Sequence, residues 1–459
     1  MANLLLVLLG AGLWLASGFV ALLKGAGERA SVRLGVAGSA IGFAGALAAL
    51  VAGAEAQLDF QFLGQPGRVA LDPLSAAFLL PNFLVGAAAT VYGQAYWPVD
   101  LKHRSARRLR LAFGVLVAAL ALVPLARQGP LFLTAWEAMA LAGYFLITLE
   151  DEKPEVRHAG WTYLVATHLG TALLLAMAAL LAVRLEGSLW VPVAGARRGL
   201  DTAIYVLGLA GFGWKAGLAP LHYWLPGAHA SAPSHASAML SAVMIKMGIY
   251  GLLRLGALLP PPPPGLALAL VLIGAFSAVY GIFHALGQDD LKRLLAYSSI
   301  ENLGLVSIGV GLAWTGRALG HPSVAVLGLA GAVLHTWNHA LFKSLLFLGA
   351  GAVVHATGTR HIDRLGGLLK SMPRAGLAVL CGGLAVAALP PLNGFVGEWM
   401  LYRGLFASLG ARPWLVGLAA PAMAFAGALA LGAFVKLFGI VFLGEPRTAD
   451  GREAHDPPP

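Results

Sequence analysis

The sequence predicts an all-α, polytopic membrane protein of about 13–14 transmembrane helices with two inverted five-helix repeats and discontinuous helices. Three observations carry this. Of 459 residues, 58% are hydrophobic and only 11% charged, whereas a soluble domain carries roughly a quarter charged residues. Apolar runs of eighteen or more residues recur along nearly the whole chain, each long enough to cross ~30 Å of hydrocarbon. Proline and glycine also interrupt two of these runs beside an ionisable residue, and broken backbone at membrane depth is tolerated only against protein or water. Other classes fall away. The single cysteine, Cys381, excludes a disulfide scaffold, a Cys-ligated iron–sulfur cluster and a structural zinc site. The net charge of +10 needs no nucleic acid, because cytoplasmic loops of membrane proteins collect Lys and Arg.

Hydropathy places spans at about 2–23, 34–53, 72–94, 109–127, 130–149, 159–183, 201–220, 235–257, 265–286, 293–315, 321–356, 374–408 and 414–443. The first lacks a basic leader region and an A-x-A cleavage site, so it is read as a retained span. Residues 54–71 alternate apolar and polar around Gly64-Gln65-Pro66-Gly67, which predicts an outer hairpin. Pro260 to Pro264 predicts a stiff polyproline II turn. The stretches 201–220, 321–356 and 374–408 are irregular, either interrupted or too long for one straight helix. No linker or composition shift divides the chain. It reads as a single membrane domain over 1–459, with N-terminal spans in 1–108 and two repeats at 109–257 and 265–443.

The repeats rest on paired motifs. "GLAPLHYWLP" after Lys215 compares with "ALPPLNGFVGEW" around Glu398, "IKMGIYGLL" around Lys246 with "VKLFGIVFL" around Lys436, and "WEAMAL" at Glu137 with "IENLGL" at Glu301. Five spans per repeat, an odd number, imply inverted topology. Alternate loops carry sixteen cations, among them Lys24, Lys102, Lys153, Lys292 and Arg360. The opposite loops carry eight, among them Arg68, Arg127, Arg254, Arg317 and Arg412. This bias puts the N-terminus outside and the odd-numbered loops in the cytoplasm, in a multi-pass protein of the plasma (inner) membrane.

Ionisable residues inside spans are the functional signal. Each costs ~2.5–3.5 kcal/mol at the centre of an isolated helix, so such groups face a bundle interior or a water path. The main set is Glu137, Lys215, Lys246, His335, His339, Lys343 and Glu398, with His168, Glu301 and Lys436 as accessory candidates. Pro220 and Pro226 predict a helix break just after Lys215, and Pro390, Pro391, Asn393 and Gly394 predict another just before Glu398. A lysine or acid at such a break suits a group that must gain and lose a proton. The bland alternatives are a Lys215 paired permanently with Glu137, a protonated Glu398 bonded to freed backbone, and a Lys246 that snorkels to an interface. Four-residue spacing stacks His335, His339 and Lys343 on one helix face, with Asn338 beside them. That row can pass a proton along water chains or serve only as structural hydrogen bonding. A haem site is disfavoured by the neighbouring lysine, and a zinc site by the lack of an HExxH glutamate. Asp289, Asp290, Lys292 and Arg293 read as a solvated helix cap, and Arg254 and Arg317 as outer anchors. No G-x-G-x-x-G or Walker pattern follows a strand.

"GWKAGLAPLHYWLPGAHASAPSHASAMLSAVMIKMGIYGLLR", "DDLKRLLAYSSIENLGLVSIGVG", "LHTWNHALFKSLLFLGAGAVVHATGTRHIDRLGGL" and "LPPLNGFVGEWMLY" resemble the antiporter-like membrane subunits shared by respiratory complex I, the Mrp cation/proton antiporters and energy-converting hydrogenases. The resemblance spans about 72–447. "SIENLG", "HATGTRHIDRLGGL" and "GEWMLY" are most similar to the large antiporter-like subunit of formate hydrogenlyase and hydrogenase-4. It implies a fourteen-helix core with broken seventh and twelfth helices and a central polar axis. On that axis fall the fifth-helix glutamate at Glu137, the seventh-helix lysine at Lys215 and the eighth-helix lysine at Lys246. His335, His339 and Lys343 match the eleventh-helix set, and Glu398 the twelfth-helix acid, where some members carry lysine. The chain reaches "DPPP" where the resemblance implies a fourteenth span, so the expectation is a truncated or fragmentary product. It also lacks the long lateral helix of some members.

The implied function is a non-catalytic, proton-translocating subunit of a redox-driven complex of the hydrogenase-4/formate hydrogenlyase or NADH-quinone oxidoreductase type. A proton is taken up from the cytoplasm near Lys246 and rests on Lys215, where Glu137 decides whether it stays. It then moves through His335, His339 and Lys343 to Glu398 and leaves outside. No cofactor or metal is expected in this chain; redox cofactors belong to partner subunits, membrane and peripheral, and no nucleic acid is involved. The alternatives are an Mrp-type Na⁺/H⁺ antiporter subunit and a non-conducting scaffold.

Overall fold

The computed structural model describes residues 1–23, 27–98, 103–187, 189–410 and 413–457. Lys24, Lys102 and Arg412, three of the counted loop cations, lie outside the described residues. Helices α1 (Ala2–Val20) and α2 (Gly27–Ala52) lead into a hairpin of β1 (Ala56–Phe62) and β2 (Gln65–Leu71). There follow α3 (Pro73–Tyr96), α4 (His103–Leu125), α5 (Gly129–Ile147), α6 (Pro154–Leu185) and α7 (Arg198–Ala216). Then come α8 (Leu225–Ser231), α9 (Ser234–Met239) and α10 (Lys246–Leu258), the last two joined by a π-helical stretch, Leu240–Met244. The chain continues with α11 (Pro264–Leu286), α12 (Leu291–Leu319), α13 (Pro322–Thr357), α14 (Pro373–Val386), α15 (Asn393–Ala407), α16 (Pro413–Phe442) and α17 (Ala449–Glu453).

Among the described residues eleven helices are long and apolar enough to cross a membrane, counting Ser234–Leu258 as one. Two predicted spans are missing from that number: 201–220 is occupied by α7, which stops at Ala216 and carries Asp201 and Lys215, and 374–408 is broken into α14 and α15. Stretch 321–356 departs from the expected irregularity. It is one continuous helix of 36 residues, because its only proline, Pro322, occupies the first turn, where no backbone donor is lost. The hairpin forms over the predicted stretch, but its turn is Leu63-Gly64, both at positive φ (50° and 74°), and Pro66 sits inside β2 opposite Gln61. Two residues in that conformation match the strand twist as a tight hairpin loop does.

The chain divides into two compact units: Met1–Ala216 with Ser231–Pro262, and Gly217–Ala230 with Pro263–Pro459. In the first unit α1 packs on α2 and α4 through glycine contacts; a Cβ on Gly10 would lie 2.6 Å from the Gly38 carbonyl oxygen. The second unit repeats the device between α11 and α12, where a Cβ on Gly304 would lie 2.5 Å from the Gly274 oxygen. Such close approach of small residues is how helices associate where hydrocarbon supplies no hydrophobic drive between them.

Candidate functional site: buried charges in each unit

In the first unit, Lys215 occupies the last turn of α7 and is only 4% exposed. Its Nζ donates to the Tyr163 hydroxyl at 3.3 Å and to Thr167 Oγ1 at 3.4 Å, both on α6. The Tyr163 and Trp136 rings lie 5.3 and 5.8 Å away and present their negative faces to the ammonium. Tyr163 is itself fixed, donating to the Ala140 carbonyl at 3.0 Å and facing Met244 Sδ in the π-helical stretch. Glu137 is not the direct partner of Lys215. It faces His168 Nε2 at 3.4 Å, with side-chain exposures of 29% and 50%, while its other oxygen is buried without a hydrogen-bond partner among the described residues. Glu137 still acts on Lys215 through its field. Lys246 is fully buried and does not snorkel; its Nζ donates to the Ser241 carbonyl at 2.5 Å, back across the π-helical stretch.

In the second unit the row on α13 meets α12 and α15. His335 Nε2 donates to Asn302 Oδ1 at 3.0 Å, and Asn302 Nδ2 donates to the Ser298 carbonyl and to the neighbouring Glu301 carboxylate. Lys343 donates to Ser298 Oγ and to the Leu295 carbonyl, under the Phe434 ring at 5.5 Å. His339 is buried one turn from each, its ring 5.4 Å from Phe342. Glu301 is fully buried and feels the fields of both Glu398 and Lys343. Asn338 donates to the Asn393 carbonyl at 2.7 Å, which ties α13 to the start of α15. Glu398, buried, follows Gly397, where a Cβ would lie 2.6 Å from His335 Nδ1. The second unit thus gathers Glu301, His335, His339, Lys343 and Glu398 around α12, α13 and α15.

Lys436 stands apart from them. It caps the end of α11, donating to the Leu286 and Gln288 carbonyls at 3.1 and 3.0 Å and pairing with Asp289 at 3.2 Å. Asp290 caps α12 as expected, accepting from the Lys292 and Arg293 amides, but it is buried against Arg360 at 2.6 Å rather than solvated. Arg317 is exposed. Arg254, expected as an outer anchor, is instead buried: its guanidinium grips Asp72 at 2.6 and 2.9 Å, and Arg127 holds the same carboxylate at 2.9 Å. Ser75 Oγ and the Tyr250 hydroxyl complete this cluster. Sequence reasoning missed it, although Asp72 before Pro73 carries a helix N-cap signature that the structure uses, the carboxylate accepting from Ser75 N at 2.8 Å.

The buried amines of Lys215 and Lys343 are held by hydroxyls, a carbonyl and ring faces rather than by a fixed counter-ion. Among the described residues no carboxylate lies in ion-pair contact with Lys215 or Lys343. Such a group can lose its proton without abandoning an ionic partner, whereas in the Asp72 cluster two guanidiniums share one carboxylate and all three groups are held ionised. Among the described residues no group of three or more His, Cys, Asp or Glu side chains could hold a metal ion.

Comparison with known proteins identifies the family. Residues 130–424 match the family described as NADH:quinone oxidoreductase/Mrp antiporter, TM. The chain is 38% identical over 400 residues to hydrogenase-4 component B of Escherichia coli, covering 84% of this chain and 59% of that protein. It is also 38% identical over 393 residues to formate hydrogenlyase subunit 3 of the same organism, covering 84% of this chain and 63% of that protein. The chain therefore spans about three-fifths of the length of these curated relatives. Among solved structures, the Mrp complex from Dietzia sp. superposes with a TM-score of 0.82 at 28% identity, over 98% of this chain and 48% of that one. With nearly two-thirds of the chain inside the family match and eleven membrane-length apolar helices among the described residues, this is a multi-pass membrane protein that belongs to the NADH:quinone oxidoreductase/Mrp antiporter transmembrane family.

Proposed function

We propose that this chain is a proton-translocating, antiporter-like subunit of a redox-driven plasma-membrane complex of the hydrogenase-4/formate hydrogenlyase or NADH-quinone oxidoreductase type. The observation that carries the reading is the pair of buried ammonium groups, Lys215 and Lys343, each without a fixed counter-ion and each in a unit with a carboxylate acting through its field. Proton carriers on this route are Lys246, Lys215, His335, His339, Lys343 and Glu398. Glu137, with His168 beside it, governs the charge on Lys215 from a distance, and Glu301 does the same for Lys343. Lys436 serves as a cap rather than a carrier. A potential of 100 mV opposes each charge by ~2.3 kcal/mol, so the free energy comes from electron transfer in partner subunits, which hold the redox cofactors. The N-terminus and the β1–β2 hairpin lie outside. A cysteine placed at Gly64 should react with a membrane-impermeant maleimide in intact cells, and labelling only after lysis would reverse the topology.

The test is proton pumping in inverted vesicles carrying the native complex, comparing wild type with Lys215→Ala and Glu398→Gln, with assembly followed on native gels. Loss of pumping in an assembled complex supports the proposal; unchanged pumping makes the chain a non-conducting scaffold. The fold match to an Mrp complex favours one second reading, exchange of Na⁺ for H⁺. In that case Na⁺ alone, with no electron donor, would dissipate an imposed pH gradient.

A further inference from the structure

The second unit holds another titratable cluster, which the route above does not use. His222 lies between α7 and α8, its ring centre 4.8 Å from Tyr280 on α11. Tyr280 is 4.3 Å from His284, one turn further along α11, and His284 stacks on Tyr297 of α12 at 5.4 Å and 23°. His222 and Tyr297 close the ring of four at 6.5 Å. His222 is 92% buried. Its Nδ1 has no hydrogen-bond partner among the described residues. A buried nitrogen left open is costly, so it marks a place for a bridging water or a moving proton.

The cluster has an outer and an inner end. His284 is partly exposed in the last turn of α11, next to the segment in which Asp289 pairs with Lys436, and Tyr297 feels the charge of Arg293. At the inner end, Tyr297 lies on the same turn of α12 as Leu295 and Ser298, the two groups that hold the Lys343 ammonium.

We propose that His284, Tyr280, Tyr297 and His222 form a proton-uptake relay that supplies the Lys343 site from the membrane face carrying residues 287–293. The proposal rests on the proton-translocating reading above. Each transfer is a hydrogen-bond exchange through one bridging water. A proton binds one nitrogen of His284 as the other nitrogen releases its own. The tyrosine hydroxyls pass one on, and His222 accepts at Nδ1 and releases from its second nitrogen. Every group ends with the protons it began with, and one proton has moved inward.

The experiment compares the native complex with His284→Ala, His222→Phe and Lys343→Ala in inverted vesicles, where the cytoplasmic face meets the medium. It reads proton uptake per electron with and without added imidazole. The expected result is that His284→Ala slows uptake about tenfold or more and that imidazole restores it, while Lys343→Ala abolishes pumping with or without imidazole. If His284→Ala and His222→Phe pump like wild type while Lys343→Ala does not, the relay is refuted and the translocation reading stands. A loss in His284→Ala that imidazole leaves unchanged also refutes it, because the ring then acts by packing alone. Pumping that survives Lys343→Ala removes the underlying reading instead.

Discussion

Asp72→Asn separates charge from geometry at the densest ionic cluster of the first unit. Asparagine caps a helix about as well as aspartate, so the bond from Ser75 N at the start of α3 survives and only the negative charge goes. Arg127 and Arg254, 6% and 9% exposed in their side chains, then face one another with no counter-ion. Breaking one side of a buried pair costs roughly 3–5 kcal/mol. Asp72 is 19% exposed, so water takes up part of that loss and about 2–4 kcal/mol remains. At 1.4 kcal/mol per tenfold, local opening should become roughly 30- to 1,000-fold more frequent. Hydrogen exchange of the assembled protein reads this directly in peptides covering the start of α3 and the end of α10. Protection within about threefold of wild type would show that the arginines find other partners and that the cluster does not lock these helix ends.

Two further outcomes follow from close contacts elsewhere. Gly397→Ala would put a methyl group 2.6 Å from His335 Nδ1 and 3.0 Å from Asn338 Nδ2, so α15 must back away from α13 and carry Glu398 with it. An assembled complex with strongly reduced pumping is expected, and wild-type pumping would mean that Glu398 need not be positioned by α13. In the hairpin, the hydrogen bond from Arg68 holds Asp59 below the usual carboxylate range. Its folded value being depressed, the stabilisation is complete above the unfolded range near pH ~4 and fades as pH falls through the folded value. Protection of the β1 and β2 amides, corrected for the pH dependence of intrinsic exchange, should therefore fall on acidification in wild type but not in Arg68→Ala, and equal acid sensitivity in both would exclude the pair as the cause.

The elements and broken helices were legible because their causes are local. Pro220 and Pro226 remove backbone donors just beyond Lys215, and Pro390 with Pro391 does so before Glu398. What escaped depends on which helices meet. Spacing stacks His335, His339 and Lys343, but nothing along the chain indicates that Lys343 rests on Ser298 or Lys215 on Tyr163 and Thr167. Counting charges likewise took Arg127 and Arg254 as loop cations, because Asp72 lies 55 and 182 residues away from them. The matching motifs around Lys246 and Lys436 implied equal roles, yet one lysine is buried inside a span and the other caps a helix end. The turn was misjudged because Gln-Pro-Gly outweighs Leu-Gly as a signal, although the strand register closes on Leu63 and Gly64.

The central claim is that Lys215 and Lys343 carry protons rather than hold helices together. Protons moved per electron, measured in inverted vesicles for Lys215→Ala, Lys343→Ala and the double variant with assembly confirmed, test it most directly. The account predicts that either single change lowers the ratio and that the double variant lowers it at least as far as the more damaging single one. A wild-type ratio in the assembled double variant would contradict it.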